Sequence, residues 1–572
     1  MSDSDSYVYQ YPGLNKNTSF PSKVQISISC SNLPKFDAAS KSDPKVFIFI
    51  ESKCYIDGKI ETLWSQIAKT ETVKNNVDPT FKKKFTIDYY FETIQNLRFV
   101  VFDMDGDSKE WKKNDFIGYV EKSLASLINE SKNNVVECDI LTSKPSGIEV
   151  DVSKAQKFSG TSKMFIRIEE DSHLNKKYRF NVQGVDLDKK DIIGSSDPFI
   201  IISRIEDDGS IIKVMETSVI KNTLNPAWAN LEVPVKTFNN EDLNKMLLFE
   251  VLDWDKNSKN DIIGTFKATT KDLIEKKSFE VINEKKKSKS DSYKNSGTII
   301  FDRIEVVGPP LSFMDFPMGG TEIVVTFAID FTGSNGLKHL KSSLHYNNPE
   351  YDINNFYTMN DYEKAISSIG YVLEPYDSNK SMEVYGYGGK FFGRGNVEFD
   401  CPLTDDREHP SVIGVAGILE AYHNALQTVK LSGPTNFAPI IKKITNDTVK
   451  DLPPPYENNP LPKYHILTII TDGVISDINK TIEAIIDASD HPLSIIIIGV
   501  GKENFEKMNV LDGDNRVLKM NGKNSKRDIV QFLPLNKFIE NPDLLRAETL
   551  KEVPKQVIEF ANKYKYKPNF HP

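Results

Sequence analysis

The 572-residue chain is long enough for roughly three to five domains. Hydrophobic residues make up 39% of it and charged residues 27%, with 30 Gly and 29 Pro, which excludes collagen-like and low-complexity chains. Acidic residues outnumber basic ones by 81 to 72, a net charge of -9, which argues against a protein that binds nucleic acid over its whole surface and leaves room only for a local basic patch.

The chain opens on a polar segment, 1–19, expected to be a disordered tail. It lacks a charged-then-apolar secretory signal, and Ser2 stands where N-myristoylation needs Gly. The longest apolar stretch, Leu493 to Val500, contains Ser494 and Gly499 and falls far short of the ~20 residues of a spanning helix. A cytoplasmic protein with no transmembrane segment is expected, in which Cys30, Cys54, Cys138 and Cys401 stay reduced and pack as small apolar residues.

Residues 20–171 and 172–308 repeat one another. Lys41-Ser42-Asp43-Pro44 returns as Ser195-Ser196-Asp197-Pro198, and Val77-Asp78-Pro79-Thr80-Phe81 as Leu224-Asn225-Pro226-Ala227-Trp228. Phe102-Asp103-Met104-Asp105 then returns as Leu252-Asp253-Trp254-Asp255, and Asp115-Phe116-Ile117-Gly118 as Asp261-Ile262-Ile263-Gly264. Four matches in the same order, at drifting offsets, indicate a duplicated domain with loop insertions. Apolar residues recur every second position at Val24, Ile26, Ile28 and Cys30, at Leu97, Phe99 and Val101, and in the second copy at Tyr178, Phe180 and Val182 and at Phe249 and Val251. These are half-buried strands, and each copy reads as an antiparallel β-sandwich. The segment Asn283 to Asn295 reads as a long loop before a strand over Thr298 to Val307.

From 309 to 563 strands and helices alternate. Ile323 to Ile329, Ile466 to Ile470 and Leu493 to Ile498 are continuous apolar strands, as a parallel sheet buried on both faces requires. Amphipathic helices run through Tyr362, Ala365, Ile366, Ile369, Val372 and Leu373, and through Val412, Val415, Ile418, Leu419, Tyr422, Ala425 and Leu426. The pattern predicts a doubly wound, Rossmann-like α/β domain, with ligands at the carboxyl ends of its strands. Residues 564–572 form a short tail.

Each repeat carries two Asp six residues apart in its first loop, Asp37 with Asp43 and Asp191 with Asp197. A later loop adds Asp103, Asp105 and Asp115 in the first copy and Asp253, Asp255 and Asp261 in the second. Asp is common in turns, which accounts for any one of these but not for the same spacing twice. Five converging carboxylates repel one another unless neutralised, and calcium, with six to eight hard oxygen ligands, is the cation that suits them. An EF-hand over Asp103-Met104-Asp105-Gly106-Asp107 fails, because Ser108 stands at the Gly position and Asn114 at the bidentate Glu position.

A different oxygen cluster follows the first α/β strand. Asp330-Phe331-Thr332-Gly333-Ser334 offers a carboxylate and two hydroxyls, Thr471-Asp472-Gly473 follows the next strand, and Gly433-Pro434-Thr435-Asn436 lies on a connection between them. Three loops with few carboxylates suit magnesium with retained waters. The bland reading has Asp330 and Ser334 capping the following helix.

The pattern Asp-x5-Asp-Pro, Asn-Pro-x-Trp, Asp-x-Asp-x5-Asp-x-x-Gly resembles the C2 domain, a calcium-dependent phospholipid-binding sandwich. The second copy matches it throughout; the first has Asp78-Pro79 for Asn-Pro and a longer third loop, which leaves Asp107 a rival to Asp115. The second cluster resembles the metal-ion-dependent adhesion site of von Willebrand A-type domains. Carried over, the resemblance implies that Asp330, Thr332, Ser334, Thr435 and Asp472 hold magnesium or manganese, and that a partner protein's carboxylate completes the coordination. Two C2 copies followed by an A-type domain resemble the copines. That implies calcium in the C2 loops, anionic phospholipids such as phosphatidylserine as partners, and movement from the cytoplasm to the plasma membrane and endosomal membranes when calcium rises. Target proteins would bind through the A-type domain. The competing readings are a calcium-independent adaptor and a magnesium-dependent phosphoryl transferase.

Two further features bear on membranes. Trp111, flanked by Lys109, Lys112 and Lys113, either dips into the headgroup region or folds back onto the sandwich. Lys82, Lys83 and Lys84, expected on a strand, either hold a phosphoinositide or form a solvated face. No Walker loop, Gly-x-Ser-x-Gly elbow or His-Glu-x-x-His motif occurs, so an enzyme is not expected.

Overall fold

A computed structural model describes residues 22–568 apart from 37–40, 57–58, 105–113, 132–133, 171–175, 191–193, 207, 241, 256–259, 309–310, 378, 451, 455–458, 474, 504, 514–516 and 540. The first repeat folds as β1 (Ser22–Ser31), β2 (Pro44–Ile56), β3 (Lys59–Lys69), β4 (Phe85–Tyr89), β5 (Asn96–Asp103) and β6 (Asp115–Ser123), then α1 (Leu124–Glu130), β7 (Val135–Asp139) and β8 (Lys163–Glu170). Two antiparallel sheets, β4-β1-β8-β7 and β3-β2-β5-β6, make the sandwich. Lys82, Lys83 and Lys84 are not on a strand: they lead into β4, which begins at Phe85.

The second repeat comprises β9 (Lys177–Val185), β10 (Pro198–Ile205), β11 (Ile211–Glu216), β12 (Ala227–Pro234), α2 (Val235–Asn239), β13 (Met246–Asp253) and β14 (Asp261–Thr269). It continues through α3 (Thr270–Lys276), β15 (Ser278–Glu280), α4 (Glu284–Lys287) and β16 (Thr298–Val307). Its sheets, β12-β9-β16-β15 and β11-β10-β13-β14, reproduce the first topology strand for strand, as a duplication demands. The expected loop after Asn283 instead holds the short helix α4, whose first turn is capped by the Asn283 side chain accepting from Lys286 N–H. The motif glycines Gly118 and Gly264 are structural: a Cβ on either would meet the backbone of the following connection, Leu141 O at 2.7 Å or Ile282 O at 2.8 Å.

One difference between the copies has a visible cause. β13 alternates buried and half-exposed residues, whereas β5 is buried on both faces from Leu97 to Asp103. A strap between β7 and β8, carrying Ile148, Val150, Val152 and Ala155, covers the outer face of β2 and β5 and packs on Phe47, Phe49, Val100 and Phe102. Buried Arg98 anchors it, donating to Ser146 O at 2.5 Å and to Glu121 Oε2 at 2.7 Å while stacking 3.7 Å from the Trp64 ring centroid.

The α/β domain runs through α5 (Asp315–Met318), β17 (Glu322–Asp330), α6 (Asp361–Leu373), β18 (Ser381–Tyr387), β19 (Gly389–Lys390), β20 (Cys401–Pro402), β21 (Ser411–Ile413), α7 (Gly414–Thr428) and β22 (Lys430–Leu431). It goes on through α8 (Ala438–Thr448), β23 (Lys463–Thr471), α9 (Ile478–Ala488), β24 (Leu493–Gly499), α10 (Glu506–Asn509), β25 (Lys519–Met520), β26 (Lys523–Asn524), β27 (Val530–Pro534), α11 (Pro542–Leu550) and α12 (Val553–Tyr564). The main sheet has the order β20-β18-β17-β23-β24-β27, with β18, β17, β23, β24 and β27 parallel. Helices α6, α7, α11 and α12 cover one face and α8 and α9 the other, the doubly wound arrangement expected from the apolar runs. Val412 lies on β21; the helix read through it starts at Gly414.

The chain divides into two compact units: the second sandwich alone, and the first sandwich together with the α/β domain. In the latter, one hydrophobic core runs through both parts. No helix among the described residues is long and apolar enough to cross a membrane. Cys30, Cys138 and Cys401 are free and buried, the packing role expected of them.

Candidate metal sites

At the loop pole of each sandwich, strand pairing sets the carboxylates. Pro44 pairs with Asp103 and Pro198 with Asp253, so the Asp before each proline stands beside the last residue of the neighbouring strand. Asp43 N–H donates to Asp103 Oδ1 at 2.6 Å, and Asp197 N–H to Asp253 Oδ1 at 2.5 Å. Met104 N–H and Trp254 N–H complete the pairs by donating to the carbonyls of Asp43 and Asp197, at 3.1 and 3.0 Å. On the other side Asp103 pairs with Asp115 and Asp253 with Asp261. Asp255 follows in the second copy, its N–H donating to Asn260 Oδ1 at 3.1 Å. Asp37, Asp105, Asp107, Trp111 and Asp191 lie outside the described residues. Among the described residues no three His, Cys, Asp or Glu side chains are close enough to hold a metal by themselves. Asp103 and Asp253 are nonetheless buried carboxylates with acidic neighbours on adjoining strand ends, a donor set that fits a hard cation.

Two asparagines that the motif reading passed over hold these loops. Asn75 and Asn222 both have left-handed backbones, φ 53° and 54°. Their N–H groups donate to Asp43 Oδ1 at 2.6 Å and Asp197 Oδ1 at 2.7 Å, and their side-chain oxygens accept from Lys41 and Ser195 N–H, both at 2.8 Å. The signal was present: Lys-Asn precedes Asp78-Pro79 and Asn225-Pro226 at the same distance. Asp78 also does the work of Asn225, accepting from Asn32 N–H at 2.8 Å as Asn225 Oδ1 does from Asp186 N–H at 2.9 Å.

Each pole also carries an ammonium on one of the acidic residues. Lys154, on the strap, pairs with Asp115 Oδ2. Lys221 Nζ stands 3.1 Å from Asp197 Oδ2 and 3.9 Å from the Trp254 ring centroid. Elsewhere on the first copy, the Lys82 and Lys83 N–H groups hold Glu71 at 2.5 and 3.1 Å, and Lys84 Nζ reaches Glu169 at 3.6 Å.

In the α/β domain three loops meet at the carboxyl ends of β17 and β23. Asp330, fully buried at the end of β17, accepts from Thr332 N–H at 2.9 Å and from Thr471 Oγ1 at 2.8 Å. Thr332 Oγ1 and Ser334 Oγ lie 2.9 Å apart, and Ser334 hydrogen-bonds Asp472. The 432–435 connection is laced to both neighbours: Gly333 N–H donates to Ser432 O at 2.7 Å, and Ser476 N–H to Thr435 O at 2.8 Å. The structure therefore gathers Asp330, Thr332, Ser334 and Asp472, with Thr435 on the adjoining loop.

The electrostatics of this pair are those of a site short of positive charge. Burial first, and then the Asp472 charge, push the Asp330 carboxyl up to about 7. Burial likewise raises Asp472, and Glu503 adds to the effect. Asp472 Oδ1 is buried without a hydrogen-bond partner. Two neighbouring buried carboxyls, one oxygen unsatisfied, with three hydroxyls around them fit one divalent cation with open positions.

Beneath Asp330 sits a histidine that no sequence motif singled out. His345 Nε2 lies 2.8 Å from Asp330 O and Nδ1 2.8 Å from Tyr422 OH. The ring stacks on Tyr362, centroids 4.2 Å apart, and on Phe331 at 5.2 Å. Burial holds it down to about 3, so it is a neutral structural ring that fixes the carbonyl of Asp330.

The C2 domain family matches residues 23–138 and 179–286, and the Copine family residues 343–569. Copine-C of Dictyostelium discoideum is 39% identical over 557 residues, covering 96% of this chain and 96% of that protein. Copine-B of the same organism is 38% identical over 559 residues, covering 96% and 98%. Copine-A, also from Dictyostelium discoideum, is 36% identical over 551 residues, covering 96% of this chain and 85% of its own length.

Proposed function

The chain belongs to the copine family, and from that premise we propose that it is a peripheral membrane protein that moves from cytosol to anionic membranes when calcium rises and carries target proteins there. The observation that carries the reading is the duplicated pole: in both sandwiches one Asp backbone N–H is bonded to the carboxylate of a second, buried Asp, with a third acidic residue on the next strand end. Asp37, Asp43, Asp103, Asp105 and Asp115 would form one calcium site, and Asp191, Asp197, Asp253, Asp255 and Asp261 the other.

Without calcium the acidic poles face a negative inner leaflet and are repelled. Calcium, when bound, offsets that charge and leaves coordination positions for lipid phosphate. The chain's own part is to hold the Asp side chains on adjoining strand ends, so that charge compensation rather than refolding switches the surface. Two tethered sandwiches then act with avidity, the second contact forming at high effective concentration. Phosphatidylserine and phosphoinositides are the lipids in view, with Trp111 and Lys82 to Lys84 as accessory contacts. In the α/β domain Asp330, Thr332, Ser334, Thr435 and Asp472 would hold magnesium or manganese and take up a target protein's carboxylate. We assign none of the three sites a catalytic step.

Cosedimentation with phosphatidylserine vesicles across a calcium titration tests the reading, with Asp103→Asn and Asp253→Asn alongside. Calcium-dependent pelleting that one or both variants lose is expected; no pelleting at millimolar calcium would sink it. A constitutive, calcium-independent adaptor is the second reading, favoured by the ammonium groups already seated on Asp115 and Asp197. Pelleting or partner binding indifferent to calcium would support it.

A further inference from the structure

The first sandwich is joined to the α/β domain through the end opposite its acidic loops. Strands run from pole to pole: β5 starts at Asn96, which pairs with Ser123, and ends at Asp103, which pairs with Asp115. At ~3.3 Å per residue its seven steps separate the two ends by roughly 23 Å. The end away from the acidic residues carries Tyr89, the 90–95 turn and α1, and these touch the α/β domain.

The aromatic residues there form a domain-like core. Phe91 meets Phe313 with centroids 4.6 Å apart and Tyr376 at 5.0 Å, and the hydroxyls of Tyr89 and Tyr376 are hydrogen-bonded. All four are at most 5% exposed, and α1 packs on α5 and on the 3-10 turn Glu374–Tyr376. Interfaces between domains of one chain are by default polar and mobile; one that continues a hydrophobic core behaves as a single body.

On the α/β side, the same contacts fall at the amino-terminal ends of the strands. α5 leads directly into β17 and the 374–376 turn leads into β18, while Asp330 closes β17 at its far end, eight steps or roughly 26 Å away. Both metal poles therefore point away from the joint.

We propose that the first sandwich and the α/β domain act as one rigid, back-to-back body, so that a membrane held at the Asp43–Asp103 pole leaves the Asp330 site on the opposite side, open to a protein partner in solution. This rests on the membrane reading above and adds its geometry. The aromatic joint, not a flexible linker, sets the direction in which the partner site faces.

Hydrogen–deuterium exchange of the full chain, free and on phosphatidylserine vesicles with calcium, tests this without any substitution. The expected result is several-fold slowing confined to the sandwich loops, 32–43 and 104–114 in the first copy, with 331–347 and 471–477 exchanging as they do in solution. Segments 89–95, 313–318 and 374–377 should be slow in both states. Slowing at 331–347 or 471–477 on vesicles, or fast exchange at the joint, overturns the back-to-back geometry while leaving membrane binding intact. The absence of any vesicle footprint overturns the membrane reading itself and the inference with it. A Phe91→Ala variant should speed exchange at 89–95 and 313–318 together; a change on one side only contradicts a single body.

Discussion

Gly388 lies against Thr332 so closely that a Cβ on the glycine would overlap Thr332 Cγ2. Gly388 also has a left-handed backbone, φ +77°. The loop after β18 thus supplies the space in which the first hydroxyl of the Asp-x-Thr-x-Ser run can be carried by Thr, with its extra methyl, rather than by Ser. The methyl occupies the room left by the missing Cβ, and Thr332 Oγ1 stays 2.9 Å from Ser334 Oγ.

Gly388→Ala is therefore expected to displace Thr332 and weaken magnesium or manganese binding roughly ten- to hundred-fold, the range seen when groups supporting a ligand are lost. Thr332→Ser in the same chain should restore most of that affinity, leaving a backbone cost of ~1 kcal/mol from the positive φ. Thr332→Ser alone should bind like the parent. Titration calorimetry on the three variants checks this; no rescue in the double variant would rule out the steric account.

The buried Asp330 and Asp472 pair makes the metal-free protein pH-dependent in a definite sense. The folded state holds the Asp330 proton up to about 7, whereas an unfolded Asp releases it near 3.9. Metal-free stability should then fall as pH rises from about 4 to about 7 and level off above. Magnesium competes with that proton, so its stabilising shift in thermal melts should be small at pH 5 and largest above 7. Asp472→Asn removes one charge: the chelator-treated protein should melt at the same temperature or higher, and the magnesium shift should vanish. A magnesium shift equal at pH 5 and pH 8 would contradict this.

How much of this was legible in the sequence depends on what each feature is made of. The duplication and the strand ends of the α/β domain were written in local patterns, Asp-Pro and Asp-x-x-Gly repeats and runs such as Ile466 to Ile470, and the strands fall where those patterns put them. The residues that hold the sites were not. Gly388, His345 and Asn75 act across 56, 15 and 32 positions respectively, through an empty volume, a stacked ring and a left-handed backbone, none of which has a periodicity. The burial of β5 on both faces shows in hindsight as Phe99-Val100-Val101-Phe102, but only the strap explains why one repeat needs it. Nor could pairwise motifs have shown that Tyr89, Phe91, Phe313 and Tyr376 belong to one core.

Asn75 and Asn222 offer a matched test in the two copies. Asn222→Ala loses the acceptor for Ser195 N–H and forces a Cβ-bearing, non-Asn residue into φ 54°, together worth about 2 kcal/mol. Asn222→Gly relieves the backbone and keeps only the hydrogen-bond loss, so it should recover about half. Because the Asn222 N–H orients Asp197, both variants should also lower calcium affinity in the second sandwich and leave the first unchanged. The Asn75 pair should do the converse. Denaturant melts and calcium titrations of the four variants check both halves.

Lys154 and Lys221 should set how readily each pole takes its cation. Each ammonium stands on a carboxylate of the proposed calcium sites, Lys154 on Asp115 and Lys221 on Asp197, and would have to leave before that oxygen could coordinate. Both lysines are more than half exposed, so each pair is worth at most ~1 kcal/mol, and Lys→Gln should raise calcium affinity at its own pole by no more than about five-fold. The two are not equivalent. Lys154 sits on a strap anchored by Arg98, while Lys221 also rests on Trp254, so Lys221→Gln should change Trp254 fluorescence and Lys154→Gln should not. Measured without lipid, the affinity gain separates competition for the carboxylate from any attraction of the same lysines to an anionic surface. An unchanged affinity in both variants would mean that the ammonium groups follow the carboxylates passively and set nothing.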